Sequence, residues 1–336
     1  MPGVRALSRT QLGLETVKGT PVAATGIWRG PVAFLEDATE VVLSKEDVAI
    51  IGGTDRSHIP KYAGKCKFPE TEATFEQLPY ILSAGVKDVV SGSADGVGSG
   101  KIYDYPFGLT AVNSVKAYTI EGYDDQQEEE AAFGTVEAFE LKLEAGKAWM
   151  VSADWFCYRP GPSTKTTLAS LPTVEEILTQ KTKIYIDAVG GTIGTTQKTK
   201  TLLAANIKVK TGFVAYWTAD GSLEFSDVKM GNEIGWEIEA TVTFEHDGTA
   251  VAEKAAFQAQ TARLMRLQAQ GAALGTPGTY TYKTARLDLP GKWTKFSIIE
   301  SKDGNDTVTG TFVSRYNVTA ALGPSILLVN ELASLP

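Results

Sequence analysis

His58 and His246 are the two imidazoles available to this chain of 336 residues, and neither sits in a setting that asks for proton transfer. His246 follows an alternating strand pattern just before Asp247-Gly248, where a structural role at a strand end is the simpler reading. His58 lies in a polar loop after Thr54-Asp55-Arg56-Ser57. No Gly-x-Ser-x-Gly elbow presents a nucleophilic serine. Cys66 and Cys157 have no CxxC partner and no histidine pair has ligand spacing, so a metal site is not expected. The glycine-rich stretch 91–101 lacks the Gly-Lys-Ser/Thr ending of a phosphate loop and reads as a flexible connection. Asp124, Asp125, Glu128, Glu129 and Glu130 form an acidic run without calcium-loop spacing, by default a solvated loop. No catalytic group and no cofactor is expected.

Composition narrows the class further. Hydrophobic residues at 43% and charged residues at 21% are those of an ordinary folded protein. No apolar run approaches the roughly 20 residues of a spanning helix, so membrane insertion is not expected. Arg5 and Arg9 near the start are not followed by an apolar stretch, which argues against a secretory signal and for folding in a cytoplasm. Two cysteines are too few for a disulfide framework and read as small buried side chains. A net charge of -8 argues against gripping nucleic acid, because phosphate binding needs Lys and Arg to displace counterions.

The elements that must position whatever the protein does are mostly strands, and their order recurs. Residues 234–244 alternate Ile234, Trp236, Ile238, Ala240, Val242 and Phe244 with polar side chains, a period of two. Phe139, Leu141 and Leu143 alternate with Glu140, Lys142 and Glu144, then turn through Ala145-Gly146-Lys147 into Trp149, Val151, Ala153, Trp155 and Cys157, a hairpin. Phe296-Ser297-Ile298, the turn Lys302-Asp303-Gly304-Asn305, and Val308, Phe312, Tyr316 and Val318 form its later counterpart. Each half also carries a helix signal. Residues 250–270 place Phe257, Leu264 and Leu267 on an alanine-rich stripe ended by Gly271. Earlier, Phe75, Leu78 and Leu82 follow a Thr74/Gln77 capping box, with Pro79 keeping the helix short or kinked and Gly85 ending it.

The Pro-, Gly-, Ser- and Thr-rich residues 159–173 are the natural linker. The expected fold is therefore mainly β: two tandem β-sandwich or partial-barrel domains, 1–165 and 166–336, each with one flanking α-helix. Such domains leave open sheet edges, and pairing with the next subunit is one way to satisfy them. A duplicated domain suits a ring, since three chains would supply six equivalent units. The acidic run of the first half contrasts with Lys181, Lys183, Lys198, Lys200, Lys208 and Lys210 early in the second. In a head-to-tail stack, Asp124, Asp125 and Glu128 to Glu130 on one face and Lys181, Lys183, Lys198 and Lys200 on the other would guide register; two unrelated solvated loops are an equal alternative.

The segment Gly13-Leu14-Glu15-Thr16-Val17-Lys18-Gly19-Thr20-Pro21-Val22-Ala23-Ala24 resembles the start of many major tail tube proteins of long non-contractile-tailed bacteriophages. Leu289-Pro290-Gly291-Lys292-Trp293-Thr294-Lys295-Phe296, the Asp303-Gly304-Asn305 turn and a terminal strand are similar too. The resemblance implies tail-tube-like sandwich domains whose inner sheets join those of neighbours around a lumen, three two-domain chains per pseudo-hexameric ring, and rings stacked into a virion tail assembled in the host cytoplasm. It implies a tape measure protein and tail terminator or tip proteins as partners, with DNA passing through without specific binding. Glu140, Lys142 and Glu144 are the candidates for facing that lumen. Loops 45–58 and 212–231 hold equivalent places in the two halves, and at least one is expected to reach a neighbouring ring. A related delivery tube, terminator or baseplate ring is the nearest alternative. A carbohydrate-binding sandwich is a different one, for which Trp149, Trp155, Trp217, Trp236 and Trp293 could supply stacking surfaces.

Overall fold

The computed structural model of the chain describes residues 3–335 except Asp125, Ala169, Asn232 and Ile234. It is mainly β, with 47% of residues in strands, 8% helical, and two α-helices. The first half begins with β1 (Arg9–Leu14), β2 (Gly26–Ile27), β3 (Leu35–Asp37), the small hairpin of β4 (Val42–Leu43) and β5 (Ser57–His58), and β6 (Gly64–Glu72). Helix α1 (Leu78–Gly85), β7 (Ser93–Ala94), β8 (Lys101–Pro106), β9 (Tyr118–Tyr123), β10 (Glu128–Glu144), β11 (Met150–Cys157) and β12 (Gly161–Pro162) follow. The second half runs β13 (Thr182–Ala188), β14 (Gln197–Lys198), β15 (Leu202–Lys210), the hairpin of β16 (Phe213–Tyr216) and β17 (Asp227–Met230), and β18 (Glu237–Glu245). It ends with α2 (Gly248–Gln258), β19 (Arg263–Ala273), β20 (Tyr282–Phe296), β21 (Glu300–Lys302), β22 (Asn305–Ser314) and β23 (Ser325–Asn330).

Pairing follows one scheme in both halves. β1 lies between β2 and β9 as β13 lies between β14 and β19. β3 pairs with β6, and β15 with β18. β6, β11, β10 and β9 pair in that order, as do β18, β22, β20 and β19. A small hairpin separates β3 from β6 and another separates β15 from β18. Even an irregularity repeats: the register with the hairpin partner slips between Val136 and Ala138 on β10 and between Trp293 and Lys295 on β20. Matching Gly134 to Gly291 superposes the two slips. β10 pairs with β9 through its first part and with β11 and β15 through its second, as β20 pairs with β19 through its first part and with β22 through its second.

The halves are joined by a ladder, β10 to β15, which welds the two matching sets into an antiparallel run β3-β6-β11-β10-β15-β18-β22-β20. Beyond β20 the pairing forks to β19-β13-β14 and to β23-β8-β7. The sheets curl around one main core, which takes Phe68, Trp149 and Trp155 from one half and Phe244, Trp293 and Phe312 from the other. Residues 159–173 are pinned rather than loose: Gly161 and Pro162 pair with β10, and the Thr166 N–H and hydroxyl donate to the buried Glu121 carboxylate at 2.9 and 2.6 Å.

Several expectations need correction. The helix read over 250–270 stops at Gln258, where Gln260 takes a left-handed φ of 53°, and Arg263 to Ala273 is the strand β19. Met265, Leu267 and Ala269 point into the core while Arg266, Gln268 and Gln270 are half-buried, so the period there is two. Gly271 does not end a helix. It lies within β19 because a Cβ there would come within 2.7 Å of the Phe75 ring. α1 is short and unkinked, since Pro79 occupies its first turn, where a missing N–H is no loss. Its capping box is half made: Thr74 Oγ1 accepts from the Gln77 N–H at 3.1 Å, but the Gln77 amide instead donates to the Ile27 carbonyl at 2.7 Å.

The glycine-rich stretch is not a flexible connection either. Asp95 is buried and accepts from the N–H groups of Thr279 and Tyr280 at 2.8 and 3.0 Å, which fastens the loop to the second half. Tyr316 and Val318 lie beyond the end of β22 and are exposed. The strand from 234 onward starts at Glu237, with Ile234 outside the described residues and Ile238, Ala240, Val242 and Phe244 buried as the alternation requires.

Candidate functional site

The feature that stands out is a broad sheet face rather than a cleft. Along β10, Phe139, Leu141 and Leu143 are buried, which by strand alternation turns Glu140, Lys142 and Glu144 to the opposite, wet face. Neighbouring strands continue that face across the weld between the halves. Glu140 sits opposite Ser152 on β11 and Lys208 on β15, Lys208 opposite Glu239 on β18, and Glu239 opposite Val313 on β22. One row along, Lys142 sits opposite Met150 and Asn206.

Charges on this face are mixed and matched. Lys142 pairs with Glu70 and, at 3.5 Å, with Glu140, while Lys208 reaches Glu140 at 3.8 Å. Lys210 pairs with Glu237 at 3.1 Å and Lys67 with Asp154 at 3.5 Å. The Glu70 hydrogen bond holds the Lys142 ammonium above its ordinary pKa, and Lys147 holds the Glu144 carboxyl below its own. Exposed pairs of this kind add little stability, about 0–1 kcal/mol each. Their effect is on availability: a lysine already facing a carboxylate is a poorer partner for a phosphate. Lys208 and Lys210 thus belong to this face and not to the basic patch that the sequence grouped them with, because β15 alternates them outward.

Lys181, Lys183, Lys198 and Lys200 do come together. Lys183 on β13 and Lys198 on β14 line one depression with Lys200 and with Ala145 of the turn that ends β10. Lys181 lines an adjoining hollow with Lys183 and Gln197. The acidic residues lie at the other end of β10, which begins at Glu128. Asp124 accepts from the N–H groups of Gln126 and Gln127 at 2.8 Å each, bonds that hold its carboxyl below the usual range. Glu128 meets Lys165 at 3.6 Å and Glu129 accepts from the Gln127 amide at 2.6 Å. Glu130 faces Gly161 of β12 and Glu121 of β9 across the sheet. Asp125 lies outside the described residues.

The long run of strands has two margins. On β3 the outer edge of Leu35–Asp37, away from β6, pairs with no strand among the described residues. On β20 the β19 ladder stops at Gly291, which leaves the same edge of residues 292–296 beside β22 without a strand partner among the described residues. Apolar side chains are exposed near both margins: Phe34 at 45%, Ile298 at 81% and Ile299 at 48%.

Cys66 and Cys157 are free and buried, and burial pushes both thiols up. His246 is half-buried just after β18, its backbone N–H donating to the Asp306 carbonyl at 2.8 Å, and His58 is exposed on β5. Among the described residues no three of His, Cys, Asp and Glu converge on a possible metal site, and no helix is long and apolar enough to cross a membrane. Trp149, Trp155 and Trp293 are buried. Trp236 is half-buried against Phe107, and Trp217 packs edge-on to Phe225 with Lys61 over its ring, so none of the five forms an open stacking platform. No family model matches the chain, and no curated protein matches it.

Proposed function

We propose that the protein is a structural, ring-forming subunit whose polar sheet face lines a passage, in the manner of a phage tail tube protein. The observation that carries this reading is the antiparallel run from β3 to β20, wet on one face and unpaired at both margins, assembled from two halves that pair by the same scheme. Unpaired sheet margins invite pairing with another chain. The β10-to-β15 ladder demonstrates the kind of joint that such halves make, and three chains repeating it would close a homotrimeric, pseudo-hexameric ring.

Passage follows from the chemistry of the wall. DNA slides where phosphates find no row of free cations, and the lysines of this face are opposite or beside Glu70, Glu140, Glu237 and Asp154. Glu140, Lys142 and Glu144 are the residues assigned to the lumen. The acidic and basic groups at opposite ends of β10 would then meet between stacked rings and set their register. The resemblance supplies the remaining assignments: location in a virion tail assembled in the host cytoplasm, a tape measure protein inside, and terminator or tip proteins at the ends. Negative-stain electron microscopy of the purified protein tests the reading. Hollow rings or tubes are expected; lone globules at every concentration would overturn it.

A further inference from the structure

The two small hairpins occupy the same place in the two halves, yet one is covered and the other bare. Hairpin β16-β17 lies on the first half, where Phe213 and Phe225 join Val115, Ala117, Phe133 and Phe156 in a buried apolar cluster flanked by Ala215, Val228 and Met230. Phe225 packs against Phe133 and Tyr158 with ring centroids 4.8 Å apart in each case. Hairpin β4-β5 has no such seat. Strand registers match Asp37 to Val209: Asp37 lies across from Gly64 and Val209 from Ile238, and Gly64 and Ile238 face the corresponding residues Cys157 of β11 and Ser314 of β22. Four and six residues on, Val41 and Leu43 then correspond to Phe213 and Ala215. Val41 is 56% exposed and Leu43 67%. The side of the hairpin that its counterpart buries is apolar and in water.

The seat also has a counterpart. With Gly134 matched to Gly291, Ala117 corresponds to Ala262 through the β9 and β19 ladders, Phe156 to Val313 and Tyr158 to Arg315 through β11 and β22. Ala262, Gly291, Val313, Arg315 and Tyr316 line an open groove of about 360 Å³ on the second half. A groove and a hairpin that correspond to a docked pair, but lie on different halves, belong together in different molecules.

We propose that a second copy of this chain fills the groove: its β3 adds to the free edge of β20 and its β4-β5 hairpin seats Val41 and Leu43 against Ala262, Val313 and Tyr316. This rests on the ring reading and adds to it the register of the joint. Copying the pairs Phe139 to Val209, Glu140 to Lys208 and Leu141 to Ile207 gives Phe296 opposite the neighbour's Asp37, Ser297 opposite its Glu36 and Ile298 opposite its Leu35. Ile298 thereby gains an apolar neighbour, and Glu36 of the added strand comes beside Lys295.

Cysteine cross-linking of the purified full chain tests the register. Directly opposed residues of neighbouring strands have Cα atoms about 4.5–5.5 Å apart, within reach of a disulfide. The two margins of one chain are on the order of 30 Å apart along the sheet at about 4.8 Å per strand, and the denaturing gel shows directly whether a Glu36→Cys/Ser297→Cys bond joins two molecules. Cys66 and Cys157 are buried and provide little background. Mild oxidation is expected to link this variant into dimers and trimers on a denaturing gel, with at least tenfold less linkage for Phe34→Cys/Ser297→Cys, which is out of register. A second variant, Leu43→Asp, is expected to keep the monomer's Tm while raising the concentration needed for assembly at least tenfold. If rings form without the Glu36–Ser297 bond, or assemble normally with Leu43→Asp, the joint proposed here is wrong and the ring reading stands. If nothing assembles under any condition, both fall.

Discussion

Hairpins β4-β5 and β16-β17 are built at the same step of two matching chain paths, and the contrast between them separates what this molecule completes alone from what it leaves to others. The second hairpin brings Phe213, Phe225 and Met230 onto a waiting surface of the first half and disappears into it. The first exposes Val41, Leu43, Val48, Ile50 and Ile51. The same asymmetry governs the strands before them, because β15 is paired on both edges whereas β3 is paired on one. On the ring reading proposed above, these unmated parts are the joint with the next copy.

Variants can break that comparison at each level. The largest loss is expected at the core that both halves share. Trp293 is fully buried and its indole N–H donates to the Glu253 carboxylate at 2.9 Å, so Trp293→Ala should cost about 3–5 kcal/mol in chemical denaturation. One core also predicts one cooperative transition, and two separated transitions would show halves that fold apart. Next comes the covered hairpin: Phe225→Ala should cost about 3 kcal/mol, whereas Ile51→Ala at the bare one should stay within about 0.5 kcal/mol for the monomer. Equal losses would erase the contrast on which the inference rests.

The helices differ as well, and more modestly. Asp247 caps α2 by accepting from the N–H groups of Thr249 and Ala250 at 2.8 and 3.0 Å, so Asp247→Ala should lower stability by about 1 kcal/mol. A pH effect is expected at Glu15 in the first half. Burial pushes its pKa above the ordinary 4.5, against hydrogen bonds from the N–H groups of Phe133 and Gly19 and the Thr119 hydroxyl. The folded state thus favours the protonated form, and that contribution is full below 4.5 and lost as pH rises through the higher folded value. Tm measured from pH 4 to 8 should show a decline in this window that Glu15→Gln lacks; a parallel profile in the variant would refute the assignment. The smallest effect on the monomer is expected from reversing Glu128, Glu129 and Glu130 to lysine. Tm should change little, while assembly should lose its dependence on salt; an unchanged salt titration would remove these residues from the contact between rings.

What the sequence disclosed depended on whether local pattern or distant pairing decided the outcome. β18 and the β10-β11 hairpin alternate so regularly that a single buried face was the only arrangement open to them, and Glu140, Lys142 and Glu144 were therefore placed on the wet side correctly. β19 went the other way. Arg263-Leu264-Met265-Arg266-Leu267-Gln268 consists of good helix formers with leucines three apart, and only the ladders to β13 and β20 make it a strand. β23 was passed over, although Ile326-Leu327-Leu328-Val329 is a continuous apolar run of the kind a strand covered on both faces requires. Lys208 and Lys210 were grouped with Lys198 and Lys200 by closeness in sequence, and the alternation of β15 assigns them elsewhere. Asp95 gave no signal at all, since its partners Thr279 and Tyr280 are contributed by the other half. The hairpin groove was equally hidden, because correspondence between the halves becomes usable at residue level only when strand registers are known.

Cryo-electron microscopy of the assembled protein addresses the central claim most directly, since it shows both the number of chains around the axis and which face of the sheet looks inward. The account predicts three chains per ring, continuous pairing from β20 of one chain to β3 of the next, and Glu140, Lys142 and Glu144 facing the hole. Rings whose chains meet through other surfaces, or whose polar sheet face looks outward, would contradict it.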